Sequence, residues 1–231
     1  MAIENKQFLT LVKPTLQQIR EHNNNNMNKL LESIKQIQSL AETGLHYSKN
    51  PFELNRNNEI NRICIDIIQN ISNTSTEVIK LHLEERRGYK TPKVDVRAVV
   101  FNENNELLFV KEIIDGRWSL PGGWADIGFS PAEMAIKETR EEAGFIVTPT
   151  QLLAIMDKKC HDHPSDLYYI YKIFLQCEIT GKTESDGLET SDIGFFKDSE
   201  IPELSNPRNT PEQIKLIFDF QKGLKTPPYF E

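Results

Sequence analysis

Apolar residues change their period near residue 90, and this break divides the chain into a helical part and a part built on strands. Before it, Phe8, Leu11, Val12, Leu16 and Ile19 recur at intervals near one helical turn, as on one face of a helix. Residues 23–26 are all Asn and read as a loop. A second stripe follows: Met27, Leu30, Leu31, Ile34, Ile37 and Ala41, with Gly44 as its candidate stop. Pro51 suits the first turn of a third helix that carries Phe52, Ile60, Ile63, Cys64, Ile67, Ile68 and Ile71. A shorter helix over Val78, Ile79 and Leu81 leads to Gly88.

From Thr91-Pro92 the pattern is that of strands. Val94, Val96, Ala98 and Val100 alternate with Asp95, Arg97 and Val99. Residues 102–105 form a turn and 106–112 a second strand, which predicts a hairpin. Further strands are expected over 152–157 and 168–178. Ser130-Pro131-Ala132-Glu133 combines an N-cap, a proline at the first helical position and a capping-box Glu. Thr210-Pro211-Glu212-Gln213 repeats the device before Ile214, Ile217 and Phe218. Strands, helix, strands, helix is the order of an α/β sandwich rather than a βαβ repeat. The expected organisation is a small all-helical domain over 1–90 and an α/β domain over 91–231.

Charge and cysteine content exclude several classes. The chain has 27 basic and 34 acidic residues, a net charge of -7, which opposes a nucleic-acid-coating role. A nucleotide substrate stays open, because metal ions offset phosphate charge locally. Cys64, Cys160 and Cys177 are odd in number and lack a CxxC spacing, so reduced, mostly buried thiols are expected. The first residues lack an apolar signal core, and no apolar run reaches the ~20 residues of a membrane helix. A cytoplasmic protein with no membrane partner is the expectation.

The chemistry concentrates between Leu120 and Phe145. Ala132, Ala135, Ile136, Thr139 and Ala143 make a small-residue stripe suited to packing on a sheet. Glu138, Glu141 and Glu142 share an adjacent face. Three like charges there repel, and a hard divalent cation resolves the conflict, because Mg²⁺ prefers oxygen donors and is commonly held by carboxylates with substrate phosphates. Gly122-Gly123 allows backbone to approach a metal or phosphate. Gly144 can end the helix in a left-handed conformation. A glutamate cluster alone is most often a solvated face, and a Gly-Gly pair alone a turn. The two joined by a capped helix and a glycine stop are far more specific.

Gly123 followed by Lys137-Glu138-Thr139-Arg140-Glu141-Glu142-Ala143-Gly144-Phe145 resembles the Nudix box, G-x5-E-x7-R-E-U-x-E-E-x-G-U, with U a bulky apolar residue. Phe129 stands where the box has its first Glu, Lys137 where it has Arg, and Thr139 at the first U. Gly122-Gly123-Trp124-Ala125-Asp126-Ile127-Gly128 is similar to a bacterial subgroup with Trp-Ala-Asp at this place. Residues 41–48 are similar to the helical domain that precedes the Nudix domain in that subgroup. Its members include ADP-ribose pyrophosphatase and CDP-choline pyrophosphatase.

The resemblance implies an α/β/α sandwich with a mixed sheet, a dimer, and Mg²⁺ or Mn²⁺ held by Glu138, Glu141, Glu142 and a carbonyl of Gly122 or Gly123. The implied reaction splits the diphosphate of a nucleoside diphosphate linked to a group X. Glu141 and Glu142 are catalytic candidates, and Glu189, in the acidic segment after the long strand, is either a candidate general base or a solvated loop carboxylate. Arg97 either reaches the diphosphate or pairs with Glu112 or Asp95. Trp118, Trp124, Tyr168 and Tyr169 are stacking candidates or core. Glu112, Asp126 and Arg208 complete the substrate set, with Asn209 beside Arg208. His161 and His163 read as a solvated loop rather than a metal pair. Two alternatives stand beside this: pyrophosphohydrolysis of RNA 5′ ends or damaged nucleotides, and a nucleotide sensor without turnover. The acidic surface weakens the RNA option.

Overall fold

The computed structural model describes residues 16–71 and 91–231, with side chains from residue 26 onward in the first segment. The expected stripe residues Phe8, Leu11 and Val12, and the short helix over Val78, Ile79 and Leu81 to Gly88, lie outside the described residues. The chain forms two compact units, Met1–Lys90 and Thr91–Glu231.

In the first unit, α1 spans Leu16–Tyr47 and α2 spans Pro51–Ile71. The expected loop over residues 23–26 is corrected: α1 runs through it for 32 residues. Asn costs a helix at most about 0.7 kcal/mol relative to Ala. Ile19 and Met27 are eight residues apart, close to two helical turns, so the flanking stripes stay in phase. Gly44 is likewise not a stop. It lies within α1, where a Cβ would fall 2.3 Å from Asn57 Nδ2, and it serves the close approach of α2. Gln38 Nε2 donates to Asn61 Oδ1 at 3.1 Å across the two helices. Asn50 Oδ1 caps α2 by accepting from the Phe52 amide at 2.9 Å. The apolar stripes divide: Ile34, Ala41, Cys64 and Ile68 are buried, while Met27, Leu30, Ile37, Phe52 and Ile63 are exposed.

The second unit contains β1 (Lys93–Val100), β2 (Leu107–Glu112), β3 (Trp118–Ser119), β4 (Gly122–Trp124), α3 (Pro131–Ala143), β5 (Phe145–Asp157), β6 (Ile170–Lys182), β7 (Thr190–Phe196), α4 (Pro211–Gln221) and β8 (Tyr229–Phe230). One sheet has the order β4-β1-β6-β5-β8 and a second the order β3-β2-β7. The first is mixed, because β1 runs antiparallel to β4 and parallel to β6. The expected β1–β2 hairpin is corrected. The two strands meet only at the Phe101–Leu107 bridge and then enter different sheets. The turn at 102–105 reverses the chain, but pairing follows burial, and β1 is covered on both faces.

Val99 packs in one core with Leu107, Phe109 and α4 residues Ile214, Ile217 and Phe218. Val96, Ala98 and Val100 pack in another with Leu108, Val110 and α3 residues Met134, Ala135 and Ala143. Helices thus cover opposite faces, the α/β sandwich expected from the order of elements. Within α3 the buried stripe includes Met134 in place of Ala132, which is exposed. All three cysteines are free, with Cys64 and Cys177 buried and Cys160 exposed, in line with reduced, mostly buried thiols. Among the described residues no helix is long and apolar enough to cross a membrane.

Candidate active site

The site is laid out by strand register. Trp124, Asp95 and Lys172 are direct partners across β4, β1 and β6. Cross-strand partners share a face, so these three side chains form a row, and Gly122 and Arg97 form the next. A cavity of about 420 Å³ opens over these rows. It is also lined by Glu112 from β2, Glu138 and Glu142 from α3, and Arg208 before α4.

The two glycines let α3 reach this face. Gly122 has φ +140°, and a Cβ there would lie 2.0 Å from the Val96 carbonyl oxygen. Its amide donates to Glu142 Oε2 at 2.9 Å. At Gly123 a Cβ would stand 3.6 Å from Glu138 Oε2. α3 itself is fixed at both ends. Ser130 and Glu133 form a capping box, and Gly144 adopts φ +65° at the C-terminus.

Charge is tightly arranged. Burial pushes the Glu142 carboxyl up to about 8, against the lowering effects of Arg97 and the Gly122 amide, while Glu138 and Glu112 add to the rise. Burial also raises Glu138, opposed by Lys137. The Lys137 ammonium lies 3.1 Å from Asp126, 3.3 Å from Glu138 and 3.5 Å from Glu141. These contacts, the Asp126 hydrogen bond first, raise its own pKa. Arg97 binds both Asp95 oxygens, at 2.8 and 2.7 Å, and donates to the Leu120 carbonyl at 3.0 Å. Lys172 adds a third bond to Asp95 at 2.8 Å. Burial alone would raise Asp95, yet the two cations hold it well below the usual carboxylate range.

Of the two readings for Arg97, the structure has the pair with Asp95. Glu112 accepts from Ser119 Oγ at 2.6 Å and pairs with Arg208 Nε at 2.7 Å. Trp124 and Asp126 line the cavity, as does Glu189 from the loop before β7. Trp118 does not. Its ring packs on Phe196 at 5.0 Å beside the first core, the core alternative for that residue. Trp124 meets Tyr168 edge to face at 6.4 Å, with Lys93 Nζ 3.8 Å from the Tyr168 ring. Asn209 is buried and accepts from the Leu120 amide at 3.0 Å, so it orders the loop into β4. His161 pairs with Glu231 at 2.9 Å and His163 contacts the Asn206 carbonyl at 2.6 Å, which leaves no His pair aimed at a metal.

Glu138 and Glu142 come to the cavity together, whereas Glu141 stands outside it, bonded to Arg140 at 3.0 Å. Among the described residues no three His, Cys, Asp or Glu side chains are already gathered around one point. Lys137 holds part of the negative charge instead. The donor set still fits a hard cation: two carboxylates whose burial disfavours charge, both carboxyl-oxygen donors, beside unobstructed glycine backbone. Sequence reading did not find Lys158, Asp166 or Lys172, which also line the cavity. A signal existed for Lys172, because it falls at the period-two position between Ile170 and Phe174, where an apolar residue is the rule.

A family model described as the NUDIX domain matches residues 91–220. One described as a UDP-X-like, N-terminal oligomerisation domain matches residues 28–83. The chain is 41% identical over 192 residues to a Bacillus subtilis (strain 168) protein named "Putative ADP-ribose pyrophosphatase YjhB", covering 83% of this chain and 92% of the relative. The crystal structure of a UDP-X diphosphatase superposes with TM-score 0.58 at 27% identity, over 89% of this chain and 99% of that one. That of a Streptococcus suis 89-1591 ADP-ribose pyrophosphatase does so with TM-score 0.54 at 36% identity, over 61% and 100%.

Proposed function

The chain belongs to the Nudix family of pyrophosphatases, and from that premise we propose that it hydrolyses the diphosphate of a nucleoside diphosphate linked to X, of the ADP-ribose or CDP-choline type. The observation that carries this reading is the meeting of Glu138 and Glu142 with Arg97 and Arg208 around one cavity, through the gap left by Gly122 and Gly123. The relatives named as ADP-ribose pyrophosphatases favour the same substrate class.

Nudix hydrolases generally use divalent metal ions. Here Glu138 and Glu142, with a Gly122 or Gly123 carbonyl, would hold Mg²⁺ or Mn²⁺, which when bound would polarise phosphoryl oxygens. The chain's own groups do the rest. The Gly122 amide fixes the Glu142 carboxylate, and Asp95 locks the Arg97 guanidinium beside it. Glu189, at the open side, takes a proton from the attacking water. That water's oxygen bonds to one phosphorus as the bridging P–O bond breaks. The leaving phosphate acquires a proton from solvent, giving a nucleoside monophosphate and phospho-X. Trp124 offers a face for the base, and Arg208 and Asp126 flank the substrate. Residues 1–90 serve as a helical domain that pairs two copies of a cytoplasmic enzyme.

The test is a turnover screen of ADP-ribose, CDP-choline, sugar nucleotides, dNTPs and 5′-triphosphate RNA with Mg²⁺ and Mn²⁺. ADP-ribose and CDP-choline should lead, and Glu142→Gln should lower their turnover at least ~10²-fold. Equal rates for Glu142→Gln and the unaltered protein would remove the proposed site.

A further inference from the structure

Two buried lysines line the cavity, and the mechanism above leaves them unused. Lys172 is 1% exposed and Lys158 8% exposed, yet both line the cavity. A buried ammonium is rare unless paired, because desolvation penalises its charge. Lys172 has Asp95 as its ion-pair partner, at 2.8 Å, and that carboxylate is already bound on both oxygens by Arg97. Lys158 pairs with Asp166 at 2.8 Å. Arg97, Lys158 and Lys172 thus share two carboxylate partners, Asp95 and Asp166. An ammonium carries three N–H donors, so each lysine keeps donors beyond its single carboxylate. His163, just behind, adds no compensating charge.

Sheet register explains the placement. Lys172 sits beside Asp95 in the row that ends at Trp124, while Lys158 follows the end of β5 in a short helical turn. Both cations face the interior of the same cavity as Glu138 and Glu142.

We propose that Lys158 and Lys172 form an anion subsite that binds one phosphoryl group of the substrate while the glutamate wall acts on the other. The subsite rests on the diphosphate reading for its biological ligand, but it is defined by this chain's cations and can be probed without turnover. It makes a second phosphoryl group a requirement for tight binding. A phosphomonoester product then loses half of its anchorage, which favours release.

The test uses the full chain and inorganic pyrophosphate, with calorimetric titration in EDTA and again in Mg²⁺. Lys172→Met and Lys158→Met should each weaken pyrophosphate binding at least about tenfold. Lys158→Arg should stay within about threefold of the unaltered protein, because charge is kept. In the enzyme assay the Met variants should raise KM more than they lower kcat. Glu142→Gln should lose turnover yet bind pyrophosphate in EDTA at least as tightly, since a repelling carboxylate is gone. Unchanged pyrophosphate affinity in both Met variants, with native circular dichroism, overturns the subsite. If Lys172→Met does not fold, Lys158→Met decides alone, because it lies in a peripheral turn. Lysine-dependent pyrophosphate binding without hydrolysis of any diphosphate sustains the subsite and sinks the enzymatic reading instead.

Discussion

Gly122 carries the strictest steric demand in the site. A methyl group there would overlap the Val96 carbonyl at 2.0 Å, and φ +140° is a conformation L side chains rarely adopt. Gly122→Ala should therefore cost roughly 3 kcal/mol in urea unfolding and abolish hydrolysis. Gly123 is different. Its Cβ would meet Glu138 at an ordinary 3.6 Å, so Gly123→Ala should fold with near-native stability and still lose turnover, because the methyl stands at the carboxylate. Matched losses of stability in both variants would contradict this division. His163 makes a separate prediction. Burial, opposed by its contact to the Asn206 carbonyl, pushes the imidazole down to about 4. A folded pKa below the unfolded one means that the His163 contribution is intact above pH ~6.5 and is lost as pH falls through about 4. Between those limits the unaltered protein should lose about 1–3 kcal/mol more than His163→Asn, measured as the difference between their thermal unfolding curves. Parallel curves would show that the ring does not titrate with folding.

At the level of elements, α3 shows how local chemistry fixes a functional helix. Ser130 Oγ accepts from the Glu133 amide, and the Glu133 carboxylate in turn accepts from the Ser130 amide at 2.8 Å. Ser130→Ala should cost about 1 kcal/mol and lower turnover modestly, because the first turn sits two turns from Glu138. Thermal unfolding and steady-state kinetics on one preparation check both. The ends of this helix were legible in the sequence, since cap, proline, capping-box Glu and terminal Gly are all local signals. Partnerships made far along the chain were not. β1 and β2 look like a hairpin because turn residues join them, but β1 pairs with β4 and β6. Glu138 and Glu142 were legible through their helical spacing. Lys172 reaches the cavity only because register sets it beside Asp95 from 77 positions earlier. The Asn run misled for the opposite reason, because a weak local propensity yields to an amphipathic stripe that continues in phase on both sides of it.

For the whole molecule, the helical unit has more apolar surface than α1 and α2 hide from water. Leu40 is 73% and Phe52 79% exposed, and Ile37 is 48% exposed. Ile37 and Leu40 lie one turn apart on α1, exposed apolar surface of this kind marks an interface, and the matching family model is described as an oligomerisation domain. A symmetric dimer buries the same patch on both copies, so a charge introduced there is duplicated and desolvated twice. Leu40→Glu combined with Ile37→Glu should convert the sedimenting species from dimer to monomer at micromolar concentration. Among the described residues, those lining the cavity come from Thr91–Glu231. The monomeric variant should therefore keep most of its turnover when assayed at saturating substrate. If turnover instead disappears in step with dissociation across a dilution series, the partner subunit supplies something the cavity needs, and catalysis belongs to the dimer rather than to each chain.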